Sequence, residues 1–94
     1  MNITFRQLRV FVEVAQQGSM IRAATHLHLT PPAISMQIKE IETQVGLPLF
    51  EREKRQVSLS TAGEYFLVHA KRLLANLKDA DDTMARFKRL EHDC

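Results

Sequence analysis

The stretch from Leu27 to Gly46 places hydrogen-bonding and basic side chains at helical spacing. Thr30 is a good N-cap, and Pro31 suits the first helical position, where a backbone N–H is not needed. Gly46 is a typical helix end. An apolar stripe marks one face and comprises Ile34, Ile38, Ile41 and Val45. The opposite face carries Pro32, Ser35, Met36, Lys39, Glu40 and Thr43. Such a mixed face can contact phosphates and base edges, so the stretch is typical of a recognition helix.

Catalytic or metal-binding chemistry is the first alternative, and its candidate ligands are His26, His28, His69, His92 and Cys94. The first two histidines are two residues apart, which does not place both rings on one helix face. Neither has a Cys, Asp or Glu at metal-ligand spacing. Ser35 lies in no nucleophile elbow, so its hydroxyl is better explained as a helix cap or a phosphate contact. We therefore predict no enzyme activity, no metal and no cofactor.

Length and composition indicate one small globular domain. The chain has 94 residues, of which 45% are apolar and 26% are charged, an ordinary balance for a folded protein. Its net charge is only +2 although the pI is about 9.0, so total charge does not argue for a nucleic-acid partner. The basic excess lies in residues 1–60, which hold seven basic and five acidic groups, against six of each in residues 61–94.

The compartment is predicted from what the sequence lacks. A single cysteine cannot form an internal disulfide. No apolar run reaches the length of a membrane span, and the N-terminus has no signal-peptide pattern. We expect a cytoplasmic protein without a membrane partner.

A first helix is predicted over about Thr4 to Gln17. Thr4 and Gln7 stand at capping-box spacing, and Gly18 closes the helix. Its apolar side is predicted to comprise Phe5, Leu8, Phe11, Val12 and Ala15. The first helix is thus an amphipathic core helix.

A short second helix is capped by Ser19. Its buried face is predicted to comprise Ile21, Ala24 and Leu27, and the small Ala23 and Ala24 are expected to allow close helix approach. The second and third helices meet around His28 and Leu29, in a turn without glycine. This order is that of a helix-turn-helix, in which the second helix of the pair enters the major groove.

A two-stranded wing is predicted after the third helix. Leu49–Arg52 and Val57–Ser60 are strand-like runs around a charged turn, Glu53–Gln56. A solvated loop is the alternative, but the position directly after a recognition-like helix favours the wing. Three cations, Arg52, Lys54 and Arg55, would then reach phosphates or an adjacent minor groove.

A long helix is predicted from Thr61 to near Leu90, opened by Thr61 and Glu64 as a capping box, with Gly63 tolerated in the first turn. At about 45 Å it is too long for this small domain to cover. An apolar stripe in heptad spacing comprises Phe66, Ala70, Leu73, Leu77, Ala80, Met84 and Phe87. We expect part of the apolar face to pack on the N-terminal core and the rest to meet a second copy. A helix that serves only the core is the alternative.

Many residues along nearly the whole chain match one known pattern in order and spacing. They are Phe5–Leu8 with Phe11; Ser19, Ala23–Ala24 and Leu27; Pro32–Ser35, Gln37–Ile38 and Ile41–Glu42; and Gly46, Leu49–Arg52, Arg55 and Leu59–Gly63. With these residues the chain resembles the LysR-type transcriptional regulators of bacteria. The resemblance implies a mainly α fold: a winged helix-turn-helix, made of a three-helix bundle and a two-stranded wing, in residues 1–60. It further implies a dimerising linker helix in residues 61–94 and binding to an interrupted dyad in double-stranded promoter DNA.

Carried over to this chain, the family's DNA-facing positions are Thr30, Pro31, Pro32, Ser35, Met36 and Lys39 of the third helix and Arg52 and Arg55 of the wing. Basic side chains, hydroxyls and helix N-terminal amides would contact phosphates. Family members often have Gln at the position of Pro31, and a longer polar or basic side chain is common at that of Met36. Proline cannot make a bidentate contact to adenine, and methionine offers only apolar contact, for instance to a thymine methyl. DNA shape would then carry more of the specificity.

Two segments, Ser35–Lys39 and Leu77–Ala80, most resemble the regulators of carbon-fixation (Calvin-cycle) operons, the CbbR subgroup. Members of the family continue into a ligand-sensing domain. The resemblance therefore implies that this chain is the DNA-binding part, without the effector-binding domain, of a protein that forms a higher oligomer.

A protein-interaction module is the second alternative, with the long helix as its whole function. The polar face of the third helix and the basic turn beside it disfavour this hypothesis. Binding to duplex DNA that weakens steeply with salt would separate the two, because neutralised phosphates release counterions.

Overall fold

Helices dominate the described part of the chain. The computed structural model describes residues 1–51 and 57–92. The elements are α1 (Phe5–Gln17), α2 (Met20–Leu27), α3 (Pro31–Val45), β1 (Phe50–Glu51), β2 (Ser58–Leu59) and α4 (Thr61–His92). This order confirms the predicted mainly α winged helix-turn-helix with a long last helix.

The first helix begins at its predicted capping box but buries a different set of side chains. Thr4 Oγ1 accepts from the Gln7 N–H at 3.1 Å, and Gln7 Oε1 accepts from the Thr4 N–H at 3.0 Å. Val10 and Val14 are buried, whereas Phe5 is 42% exposed. The predicted burial of Phe5 was wrong, because Phe5 is the first residue of α1 and lies nearly a turn before Leu8, the first buried residue.

Small side chains, rather than Ile21, pack α2 into the bundle. Ser19 Oγ accepts from the Arg22 N–H at 3.2 Å and caps the helix as predicted. Ala23 and Ala24 are buried, but Ile21 is 69% exposed, which corrects the predicted buried face. Ile21 lies about 200° around the helix from Ala23, so a face centred on the alanines leaves it in solvent.

In the turn between α2 and α3, a residue other than glycine adopts the left-handed backbone conformation. His28 has φ 58° and ψ 40°, a region that costs most non-glycine residues about 1–2 kcal/mol. The Leu29 N–H donates to the Ala24 carbonyl at 2.9 Å, the hydrogen bond of a Schellman motif. Thr30 then caps α3, accepting from the Ala33 N–H at 3.3 Å.

Phe11 stands at the centre of the core. Its ring lies 5.4 Å from that of Phe50 and 5.1 Å, edge to face, from that of Phe66. The buried apolar residues are Leu8, Val10, Phe11, Val14, Ala23, Ala24, Ile34, Ile38, Ile41, Leu49, Phe50 and Ala70. Phe11 therefore joins α1, β1 and α4, and the core draws on both sides of the predicted boundary at residue 60.

The two strands of the predicted wing pair as an antiparallel sheet. Phe50 is opposite Leu59, and Glu51 is opposite Ser58. The predicted turn Glu53–Gln56 and the cations Arg52, Lys54 and Arg55 lie outside the described residues. The strands at the base of the wing are thus confirmed.

The start of α4 differs in detail from the prediction, because Ser60 and not Thr61 is its cap. Ser60 Oγ accepts from the Gly63 N–H at 3.0 Å and donates to the Pro48 carbonyl at 2.8 Å. Its N–H also donates to the Leu49 carbonyl at 3.0 Å. The hydroxyl therefore ties the helix start to the segment before β1.

Gly63 is required at this junction, which corrects the view that it is merely tolerated. A Cβ at this position would lie 1.9 Å from the Leu49 carbonyl oxygen. That atom belongs to the backbone and cannot turn aside. The close approach of α4 to the chain before β1 therefore depends on a residue without a side chain.

The long helix packs on the core only over its first turns. Ala70 is fully buried, and Phe66, Leu67 and Leu74 pack against the core. The predicted dimerisation stripe is corrected at Phe66 and Ala70, which contact the core of their own chain. From residue 78 to residue 91 every side chain is exposed. The protein is accordingly elongated, at 60 × 25 × 19 Å. Of the helices in the described ranges, none is long and apolar enough to cross a membrane.

Candidate nucleic-acid interface

The structure brings the predicted residues of α3 together on one exposed surface. Ile34, Ile38 and Ile41 are at most 3% exposed and fix the rotation of the helix. The outward side then presents Thr30, Pro31, Pro32, Ser35, Met36 and Lys39, all of them exposed. We call the residues Pro32, Ser35, Met36 and Lys39 the α3 face. Pro32 and Met36 are four residues apart, as are Ser35 and Lys39, so the four side chains form two adjacent rows along the helix.

The polar side chains of the α3 face are free to bind a partner. Among residues 1–51 and 57–92, neither the Ser35 hydroxyl nor the Lys39 ammonium group has a side-chain hydrogen bond or ion pair. A free hydroxyl and a free ammonium on a rigid helix are suited to contact phosphate oxygens or acceptor atoms of bases.

The N-terminal segment limits the α3 face on one side. Gln7 Nε2 donates to Glu40 Oε2 at 3.2 Å, and the Asn2 N–H donates to Gln44 Oε1 at 3.0 Å. Glu40, which the sequence places among the outward residues, is therefore bonded to the start of α1. Nothing in the local sequence of α3 indicates these partners, because they are more than thirty residues away.

The first turn of α3 offers a phosphate fewer amides than an ordinary helix. Pro31 and Pro32 have no N–H, and the Ala33 N–H is bonded to Thr30 Oγ1. The first turn of α3 therefore has no unbonded amide with which to make the expected contact between helix N-terminal amides and a phosphate. The two adjacent prolines in the sequence are the signal that predicts this loss.

The α3 face and the wing strands border the same groove. Ser35 and Lys39 line it from α3, and Glu51 and Val57 line it from the strand side. Its volume is about 280 Å³. A duplex laid against the α3 face would consequently meet the side of the protein from which the wing strands emerge.

Glu42 is a buried carboxylate that holds β1 against α3 and that sequence reasoning missed. It is 8% exposed, and its Oε2 accepts from the Leu49 N–H at 2.7 Å. In the sequence Glu42 follows an apolar position and resembles an ordinary polar flank. Its role becomes visible only when the chain after Gly46 folds back over the helix.

Replacing Glu42 with alanine is expected to destabilise the fold by about 2 kcal/mol, since the buried Leu49 N–H would lose its acceptor. Urea unfolding followed by circular dichroism measures this change. Glu40→Ala is the matched control, because Glu40 is exposed and its loss should change stability by about 0.5 kcal/mol or less. Equal losses in the two variants would contradict a structural role for the buried carboxylate.

The candidate metal ligands are dispersed in the part of the chain that the structure describes. No three His, Cys, Asp or Glu side chains there are grouped so as to hold a metal ion. His26 instead pairs through Nδ1 with Glu13 Oε1. Cys94 lies outside the described residues.

Known proteins share both the sequence and the architecture of this chain. A family model, "Bacterial regulatory helix-turn-helix protein, lysR family", matches residues 5–64. The HTH-type transcriptional regulator CfxR of Cupriavidus necator is 48% identical over 95% of this chain and 28% of its own length. The RuBisCO operon transcriptional regulator of Allochromatium vinosum is 40% identical over 94% of this chain and 29% of its own.

The architecture of a solved DNA complex agrees with this match. The BenM DNA-binding domain in complex with benA site 1 DNA has a TM-score of 0.88 and 33% identity, covering 90% of this chain and 96% of that one. The chain spans less than a third of the two regulators above, which are transcription factors and not enzymes. This chain belongs to the LysR family of bacterial regulatory helix-turn-helix proteins.

Proposed function

We propose that the chain is the DNA-binding part of a LysR-type regulator that binds an interrupted inverted repeat in promoter DNA as a dimer. In each subunit α3 enters the major groove, with Thr30, Pro31, Pro32, Ser35, Met36 and Lys39 toward the bases and phosphates. The observation that carries the proposal is the exposed α3 face on a helix whose opposite side buries Ile34, Ile38 and Ile41. Lys39 and Ser35, which have no side-chain partner among the described residues, lie beside the groove that the wing borders and can contact phosphates and base edges.

The wing supplies the second set of contacts. Arg52, Lys54 and Arg55 lie in the sequence between Glu51 and Val57, which border the same groove as Ser35 and Lys39. Cations there would neutralise phosphates or enter a narrowed minor groove beside the site of α3. The likeness to a domain solved with benA site 1 DNA supports this arrangement.

Self-association through α4 completes the proposed binding unit. From residue 78 to residue 91 every side chain of the helix is exposed, and Met84 and Phe87 are 63% and 58% exposed. Because most helical stability in proteins comes from the packing of an apolar face, a partner on this segment would stabilise it. We assign that partner to a second copy, paired through Leu73, Leu77, Ala80, Met84 and Phe87. The pairing would fix the distance between two α3 helices on one side of the duplex.

Target genes are proposed from the relatives. Since CfxR and a RuBisCO operon regulator are 48% and 40% identical to this chain, we propose promoters of Calvin-cycle carbon-fixation genes as its targets. The complete regulator would then act in the cytoplasm as a higher oligomer, with an effector-binding domain that follows the part described.

Selection of binding sites from a pool of random duplexes at moderate salt tests the proposal. Recovery of an interrupted inverted repeat, with affinity that falls steeply as salt rises, is the expected result. A folded dimer that enriches no sequence would contradict the proposal and favour a protein-interaction module in which α4 is the functional surface.

Lys39→Ala is expected to weaken binding to the recovered repeat by about 1–3 kcal/mol per half-site and to relax the base preference at one position. The reason is the loss of the free ammonium group from the α3 face. Fluorescence anisotropy with the recovered duplex and its single-base variants measures both effects. Lys71→Ala, which removes an exposed lysine from α4, is the control and should leave the base preference unchanged. An unaltered preference in Lys39→Ala would remove this residue from base recognition.

Arg52→Ala is expected to weaken binding to specific and random duplexes by the same factor. A phosphate contact carries no sequence information, and its loss lowers the magnitude of the slope of log affinity against log salt by about one per half-site. Salt titrations with both duplexes measure that slope. A change in the preferred sequence would show that Arg52 contacts bases instead.

A further inference from the structure

We propose that Met36 recognises the 5-methyl group of thymine in each half-site, an inference that rests on the proposed function. Met36 is a large apolar side chain that is 56% exposed. It lies at the middle of the α3 face, one turn after Pro32 and one turn before Lys39. In the described part of the chain, Met36 is not among the apolar side chains that pack on the core.

The chemistry of its thioether leaves Met36 one kind of target in the major groove. A thioether has no hydrogen-bond donor and is only a weak acceptor, so it cannot distinguish amino from carbonyl groups on base edges. The major groove displays one apolar mark, the C5 methyl group of thymine. An unbranched methionine is flexible enough to pack on that methyl group. Pro32, which also lacks a polar side-chain group, extends the apolar surface by one turn.

The position of Lys39 predicts how far the thymine lies from the base pair that Lys39 contacts. Met36 and Lys39 are three positions apart, a rise of about 4.5 Å along α3, which compares with about 3.4 Å between successive base pairs. Lys39 can donate to the O6 and N7 acceptors of guanine. We therefore expect the thymine within one or two base pairs of the base pair that Lys39 contacts.

Replacing thymine with uracil isolates the methyl group, because every hydrogen-bonding group of the base pair is retained. The probe is the duplex recovered by selection, remade with deoxyuridine at one symmetric pair of thymines at a time. Removing one buried methyl group should weaken binding about fourfold, and thus about fifteenfold when both half-sites change. We expect this loss at one thymine position per half-site.

Variants assign the effect to Met36. Met36→Gln keeps the length of the side chain but is polar, and it should bind the thymine and uracil duplexes equally. Met36→Leu remains apolar and should retain most of the preference for thymine. Leu47→Gln is the matched control, because Leu47 is 55% exposed but lies beyond the far end of α3. It should retain the full preference.

Each outcome decides between the two proposals. A recovered repeat whose binding is unaffected by uracil at every thymine would overturn the role of Met36 and leave the proposed function intact. A preference for thymine that persists in Met36→Gln would do the same. A selection that returns no repeat would overturn both, since no half-site would exist for Met36 to recognise.

Discussion

A chain that carries both Met84→Gln and Phe87→Gln is expected to be monomeric and to bind the recovered inverted repeat about a hundredfold more weakly. Both side chains are more than half exposed, in the segment of α4 from residue 78 to residue 91 in which every side chain is exposed. Glutamine keeps the helix propensity and the net charge but removes the apolar contact with a second copy. Loss of the dimer abolishes simultaneous engagement of two half-sites, which contributes roughly 10²–10⁴ in affinity.

Two measurements separate this explanation from misfolding. Analytical ultracentrifugation gives the oligomeric state, and anisotropy with a duplex that holds one half-site gives the affinity of a single α3. The half-site affinity should equal that of the unsubstituted chain. Ala85→Gln is the control, because Ala85 is exposed and lies about 100° around the helix from Met84 and about 160° from Phe87. A double variant that stays dimeric would place the dimer interface elsewhere.

The limits of the helices could be predicted because they depend on neighbouring residues. Thr4 with Gln7 forms a capping box, and Thr30 with Pro31 opens α3. Gly46 closes α3 in the left-handed conformation at φ 85°. These are interactions over three or four residues, so the sequence alone specifies them.

Burial and tertiary contacts were predicted less well because they depend on distant residues. The periodicity of α2 permits several buried faces, and only packing against α1 and α3 selects the alanines over Ile21. The same holds for Glu42, whose partner Leu49 comes from the chain beyond the helix. His28 occupies a conformation that its type disfavours, and hydrogen bonds across the turn hold it there.

The exposure of the α3 face could be predicted because this face lies opposite a clear apolar stripe on the same helix. Once Ile34, Ile38 and Ile41 are buried, the opposite residues must be exposed. What the stripe could not reveal is the edge of the face, where Glu40 is bonded to Gln7. The residues that bound a surface are set by the elements packed beside it, and those are distant in sequence.

Gly63→Ala is expected to destabilise the fold by about 3 kcal/mol, the upper part of the range for overpacking. Helix propensity alone would favour alanine by up to about 1 kcal/mol, so propensity and packing predict opposite signs. Packing should prevail because the added Cβ would lie 1.9 Å from the Leu49 carbonyl oxygen. Relief of that contact requires α4 to move away from the chain before β1, which would also strain the hydrogen bonds of Ser60.

Urea unfolding of Gly63→Ala beside Gly46→Ala tests the steric explanation. Gly46 has φ +85°, and a Cβ added there would have no atom within 4 Å, so alanine there should cost about 1 kcal/mol through backbone conformation alone. A loss at position 63 that clearly exceeds the loss at position 46 would support the tight junction between α4 and Leu49. A Gly63→Ala variant as stable as the unsubstituted chain would show that the helix can separate from Leu49 freely. The wing would then be anchored through Glu42 rather than through the start of α4.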